Sequence, residues 1–332
     1  MRALRGQPDA EALAAGVLAG ERALLARAIT LVESQNRAHR AKAQDVLDRV
    51  RHAAGNAIRI GITGVPGVGK STTIDQFGTN LTEAGHRIAV LAVDPTSQRS
   101  GGSILGDKTR MSKLSIDRSA FIRPSPTSGT LGGVARRTRE TMTLVEAAGF
   151  DIVLVETVGV GQSETTVADM VDIFVVLLLP GGGDDLQGIK KGVIELADLV
   201  AINKADGDNK RRAERTAGDY RSALTLLTPV EADWRPPVLT MSGLENEGLT
   251  QLWHEIDKHQ TLMQKTGARA RRRARQALSW MDDLLGDEMW QRLVHSEKAK
   301  PLYENLRDQV RRGDIAPGRA VDRLLEKLGL SD

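Results

Sequence analysis

One octapeptide, Gly64-Val65-Pro66-Gly67-Val68-Gly69-Lys70-Ser71, meets every fixed position of the pattern G-x-x-x-x-G-K-[ST]. Glycines at these spacings let backbone N–H groups turn inward around a phosphate, and a helix starting at the loop's end adds its positive pole. The closing residues complete a site for a polyphosphate with Mg²⁺. Lys70 is placed to reach the β- and γ-phosphates and Ser71 to ligate the metal, with Thr72 beside them in the first helical turn.

A second string, Asn203-Lys204-Ala205-Asp206, has the form N-K-x-D and ends an apolar run, Leu199–Ile202. Asp206 can accept hydrogen bonds from both the ring N–H and the exocyclic amine of guanine. Adenine lacks that pair and would leave a carboxylate unmatched. Lys204 would lie along the base while Asn203 ties the loop together. Ser242-Gly243-Leu244 falls where GTP-binding proteins place a last base-contacting loop, usually with Ala second; Gly243 keeps the backbone contact available. GTP and GDP are therefore the expected ligands.

Acidic residues stand at the ends of two further apolar runs. Asp151–Gly159 delivers Glu156 and then Gly159, the positions of a magnesium-linked acid and a γ-phosphate sensor. Arg87–Val93 ends in Asp94, at the carboxyl end of a strand, where such sheets bind ligands.

These residues need a scaffold, and the periodicity supplies one. Apolar runs at 58–63, 87–93, 120–123, 151–159, 173–179, 199–202 and 237–241 alternate with helical patterns such as Ser71–Glu83, where Ile74, Phe77 and Leu81 share a face. That alternation predicts an α/β P-loop NTPase fold with a doubly wound, mostly parallel sheet. Helical patterning before and after it predicts an N-terminal extension over 1–55, a nucleotide domain over 56–262 and a C-terminal helical region over 263–332. Gly16, Gly20 and Gly55 are the expected breaks in the first of these.

The 332 residues are 40 % hydrophobic and only 3 % aromatic, so the core must be aliphatic. The absence of cysteine excludes disulfides, thiolate metal sites and cysteine catalysis. The longest apolar run, Ile173–Leu179, is far short of the roughly 20 residues that span a bilayer, so no membrane association is expected. Acidic residues interrupt the N-terminus, arguing against a targeting peptide and for a cytoplasmic location.

With these residues in place, the chain resembles the MeaB/ArgK family of P-loop GTPases. The resemblance rests on Gly64–Ser71, Val93-Asp94-Pro95-Thr96, the stretch from Ser100 to Met111 (SGGSILGDKTRM), the stretch from Glu156 to Glu164 (ETVGVGQSE), and Asn203–Asp206. It implies a G-protein chaperone that assembles and protects an adenosylcobalamin-dependent acyl-CoA mutase, most often methylmalonyl-CoA mutase, and gates its cofactor loading. It further implies a homodimer held by C-terminal helices, Asp107 as a switch-region magnesium ligand with Asp94 and Glu156, and a mobile loop from Gly181 to Lys190. Gln98-Arg99 precedes the glycines of the first stretch.

Val160 stands directly after Gly159, where a water-orienting glutamine would be expected, so intrinsic hydrolysis should be slow and partner-stimulated. Gln162 is a candidate substitute, against a structural role in the turn. Lys190 is a candidate to approach the nucleotide or the partner, against a solvated helix start. The alternative function is a metal-insertion or targeting GTPase of the same superclass, although His254 and His259, five apart, do not share a helix face. A small-molecule kinase lacks a recognisable acceptor pocket. The basic run Arg269-Ala270-Arg271-Arg272-Arg273-Ala274-Arg275 has no interleaved aromatic residues, and its arginines are expected to surround a helix axis. It reads as a solvated or acid-paired helix, and no nucleic-acid partner is expected.

Overall fold

Strands of a parallel sheet covered on both faces read as near-continuous apolar runs, and four strands here are buried from end to end: β2 (Ile88–Val93), β4 (Ile152–Thr157), β5 (Ile173–Leu178) and β6 (Leu199–Ile202), of which only β4 closes on polar residues, Glu156 and Thr157. With β1 (Ile58–Gly64), β3 (Ala120–Arg123) and β7 (Val238–Thr240) they form an all-parallel sheet in the order β3-β2-β4-β1-β5-β6-β7. The computed structural model describes residues 8–34, 36–93, 111–124, 131–157, 163–181, 191–227, 233–297 and 299–329, and the statements below concern these.

Alternate strand residues feed two cores, as a two-residue repeat requires. Val153, Val155, Phe174 and Val176 face α1 (Ala10–Leu18), α2 (Arg22–Glu33), α3 (Arg37–Val50), α5 (Leu131–Ala147) and α8 (Lys210–Leu227). Ile60, Ile62, Leu154 and Val175 face α4 (Lys70–Glu83) and α9 (Leu249–Lys265). Two short helices, α6 (Ser163–Ala168) and α7 (Lys191–Glu195), complete the connections. Gly61 in β1 is where α6 comes closest: a Cβ there would lie 3.0 Å from Val167 and 2.8 Å from the Phe174 ring.

The N-terminal pattern resolves into three helices, and one expected break is corrected. Gly20, at φ +70°, does end α1, but Gly16 lies inside it. A Cβ on Gly16 would stand 2.1 Å from Leu24 Cδ1, so its role is to let α2 pack closely on α1.

Both outer strands have carbonyls occupied by arginine. Arg22 of α2 donates at 2.8 Å each to the carbonyl of Ala120 in β3 and to that of Arg118, two residues before the strand. Arg221 of α8 donates to that of Val238 in β7 at 3.1 Å.

The chain divides into two compact units, 1–276 and 277–332. Helix α10 (Ala268–His295) opens in the first with the basic run, whose arginines do not surround the axis to equal effect. Arg273 grips Asp172 with two hydrogen bonds of 2.6 and 2.7 Å and also donates to the carbonyls of Gly55 and Ala57. Arg269 donates to the Ala57 carbonyl at 2.6 Å, and Arg272 reaches Asp198 at 3.0 Å. Asp172 and Asp198 precede β5 and β6, so the run clasps the amino ends of the strands, opposite the phosphate loop. The run is thus acid-paired at Arg269, Arg272 and Arg273 and exposed at Arg271 and Arg275, so both halves of the expectation are met.

In the second unit, α11 (Ala299–Arg312) and α12 (Pro317–Lys327) enclose a small core of Leu306, Ala320 and Leu324 with Leu293 and Tyr303. Leu278, Met281, Leu285 and Met289 recur at three- and four-residue intervals on α10, each about half exposed. No described helix is long and apolar enough to cross a membrane.

Candidate functional site

The phosphate loop closes the carboxyl end of β1 and opens α4. Gly67 and Gly69 take φ of +81° and +97°, backbone conformations that favour glycine, while Val68 is fully buried beneath the loop. Pro66 and Gly67 are exposed at the rim, as is Thr72 on the first turn of α4; Val65 is half-buried.

Lys70 is 8 % exposed, and its ammonium donates to the carbonyls of Gly64 at 2.6 Å and Val65 at 3.3 Å. Burial holds its pKa below the ordinary lysine value, opposed by the carboxylates of Glu156 and Glu164. Glu156, at the end of β4, accepts the Ser71 hydroxyl at 3.1 Å. One ammonium, one hydroxyl and the Glu156 carboxylate thus converge where β1 and β4 end.

The N-K-x-D string is tied to the phosphate loop by one side chain. Asn203, 2 % exposed, donates to the Val68 carbonyl at 2.7 Å and to Thr73 Oγ1 at 3.2 Å, and its own oxygen accepts the Gly243 N–H at 3.0 Å. Four segments meet at this amide: the loop, α4, the end of β6 and the loop after β7. Gly69 must be glycine for a second reason, since a Cβ there would lie 2.7 Å from Asn203 Nδ2.

Asp206 is half-buried and its Oδ2 accepts the Ser242 hydroxyl at 2.6 Å. Ser242 is itself fully buried and accepts the Glu245 N–H, so the carboxylate is aimed by a hydroxyl that is itself held in place. Lys204 sits at φ +60°, uncommon for a residue with a side chain, and is exposed beside Gly69; Leu244 is 72 % exposed on the neighbouring loop.

Gly243 answers why alanine is absent at that position. A Cβ would stand 2.5 Å from Thr73 Oγ1 and 2.9 Å from Thr73 Cα, and the helix backbone cannot yield. Gly243→Ala is expected to push the loop off α4, weaken GDP binding about tenfold in calorimetry, and lower the melting temperature.

Of the residues the sequence pointed to, Asp94, Asp107, Gly159, Gln162 and Lys190 lie outside the described residues. Glu164 and Thr73 were given no role from sequence. Glu164 was only part of a matching stretch, and Thr73 carries no signal beyond following Ser71 and Thr72. Among the described residues there is no group of three or more histidine or carboxylate side chains able to hold a metal.

A phosphate loop at the end of a central strand, joined by one buried asparagine to an N-K-x-D loop, defines a P-loop nucleotide hydrolase of the guanine-reading class. The comparisons agree. The chain belongs to the MeaB family: residues 25–298 match the model described as Methylmalonyl Co-A mutase-associated GTPase MeaB. Among relatives, the mouse methylmalonic aciduria type A homolog, mitochondrial, is 49 % identical over 94 % of this chain and 77 % of its own. The Escherichia coli GTPase ArgK is 47 % identical over 92 % of this chain and 93 % of its own. The crystal structure of a protein titled LAO/AO transport system kinase superposes with a TM-score of 0.76 at 38 % identity, covering 96 % of this chain and 97 % of that one. The protein is a GTPase, and it binds GTP and GDP.

Proposed function

We propose that this GTPase serves as a chaperone for an adenosylcobalamin-dependent acyl-CoA mutase, most simply methylmalonyl-CoA mutase, using its nucleotide state to gate cofactor loading and protect the loaded enzyme. The observation that carries the reading is the family match, which spans residues 25–298 under a description that names the mutase. The printed name of the mouse relative points the same way.

Within the site, Asp206 reads the guanine edge, the Lys204 side chain and Leu244 flank the base, and Asn203 fixes base and phosphate sites at one separation. Lys70 exchanges its carbonyl acceptors for phosphate oxygens as the nucleotide enters, so its buried charge gains a counter-charge. Ser71 and Glu156, 3.1 Å apart and both hard oxygen donors, suit Mg²⁺, with Asp94 and Asp107 as further ligands. When bound, Mg²⁺ would neutralise charge developing between the β- and γ-phosphates. Gly159 senses the γ-phosphate. Gln162 and Lys190 are proposed to act when a partner is engaged, which accounts for a slow intrinsic rate.

The exposed stripe Leu278, Met281, Leu285 and Met289 supports a homodimer through the C-terminal helices, since one copy's stripe can bury another's. Adding purified methylmalonyl-CoA mutase is expected to raise GTP turnover tenfold or more, and Lys190→Ala to remove most of that rise while leaving basal turnover in place. Turnover indifferent to the mutase at micromolar concentration would refute the chaperone reading.

A further inference from the structure

The backbone ladder between β1 and β4 runs from Ile58 opposite Ile152 to Ile62 opposite Glu156. One residue further on, each strand keeps only its other neighbour: Thr63 pairs with Val176 of β5, and Thr157 with Val93 of β2. Across the opening gap the two threonine hydroxyls meet at 2.7 Å. They are 1 % and 0 % exposed, so each is the other's partner in a place water does not reach.

On either side of this bond stand the groups that do the chemistry. Gly64, whose carbonyl accepts Lys70, follows Thr63; Glu156, whose carboxylate accepts Ser71, precedes Thr157. We infer that the Thr63–Thr157 hydroxyl bridge is a positioning device for GTP hydrolysis, holding the roots of the phosphate loop and of the Glu156 strand at one spacing where the backbone no longer does so. Neither hydroxyl need touch the nucleotide. A displacement of about 1 Å between reacting groups can cost on the order of 100-fold in rate, so a small relaxation of the gap matters. Ground-state binding draws on loop N–H groups spread over several residues and on the loop's separate tie through Asn203 to Val68, Thr73 and Gly243, so it is expected to be less sensitive to the bridge than turnover is.

The test separates position from stability. Thr157→Val and Thr63→Val each strand one buried hydroxyl and are expected to lower kcat at saturating GTP and Mg²⁺ about tenfold, with GDP affinity by calorimetry within threefold of wild type. Thr157→Ser keeps the bond and is expected to keep kcat within twofold. The double variant Thr63→Val/Thr157→Val leaves no unpaired hydroxyl, so its melting temperature should return towards wild type while kcat stays low. Recovery of kcat together with melting temperature in the double variant would reduce the bridge to an ordinary core hydrogen bond. So would wild-type turnover in Thr157→Val, or turnover in Thr157→Ser as slow as in Thr157→Val.

Discussion

Asp206→Asn should cost guanine nucleotides on the order of 10³-fold in affinity and bring xanthosine nucleotides into the site in their place. In the proposed site the carboxylate presents two acceptors to the guanine N1–H and N2 amine. An asparagine presents one acceptor and one donor, which matches the N1–H and the 2-carbonyl of xanthine. A site built to hydrogen-bond a particular edge rejects the wrong one by roughly 10⁴-fold, because buried groups are left unmatched. The aim of the side chain survives the change, since Ser242 Oγ is 2.6 Å from Asp206 Oδ2 and can donate to the amide oxygen. Calorimetry with GDP and XDP in parallel is the measurement. Equal loss of both ligands would mean that Asp206 holds the loop and does not read the base.

Arg273→Ala should be the most destabilising single change at the other end of the sheet, by about 3 kcal/mol, lowering the melting temperature by about 5 °C or more. The loss comes from what remains: Asp172, 3 % exposed, keeps only the Arg59 N–H at 2.9 Å and the more distant Arg269 at 3.7 Å. In the intact protein burial pushes the Asp172 pKa up, but the hydrogen bonds and charge of Arg273, together with the Arg59 N–H and the charge of Arg269, outweigh it and hold it below the ordinary aspartate value. A carboxylate with a depressed folded pKa contributes stability that is present above its unfolded value and lost as pH falls through the folded one. The gap in melting temperature between wild type and Arg273→Ala is therefore expected to be full at pH 7 and to narrow below about pH 3.8. A gap constant with pH would assign the effect to lost packing.

How much of this was legible beforehand depends on whether a feature is local in the chain. The phosphate loop and the N-K-x-D string are each set by a few consecutive residues whose chemistry is self-sufficient, so both were readable, along with the strands that precede them. The arginine run was visible but its purpose was not, because its partners Asp172 and Asp198 lie about 70 to 100 positions away and look like ordinary strand-leading acids. The hydroxyl pair needs the β1–β4 register, which no local pattern encodes. Gly16 read as a break because glycine usually is one, whereas the side chain it admits, Leu24, belongs to the next helix.

The arginines along the outer strands bear on how copies of this chain can meet. A sheet margin with vacant carbonyls is a template onto which a foreign segment can zip, the first step towards fibrils. Here Arg22 and Arg221 have already filled acceptors at both margins. Self-association by strand addition is disfavoured at either margin, and any oligomer that forms is left to helical surfaces.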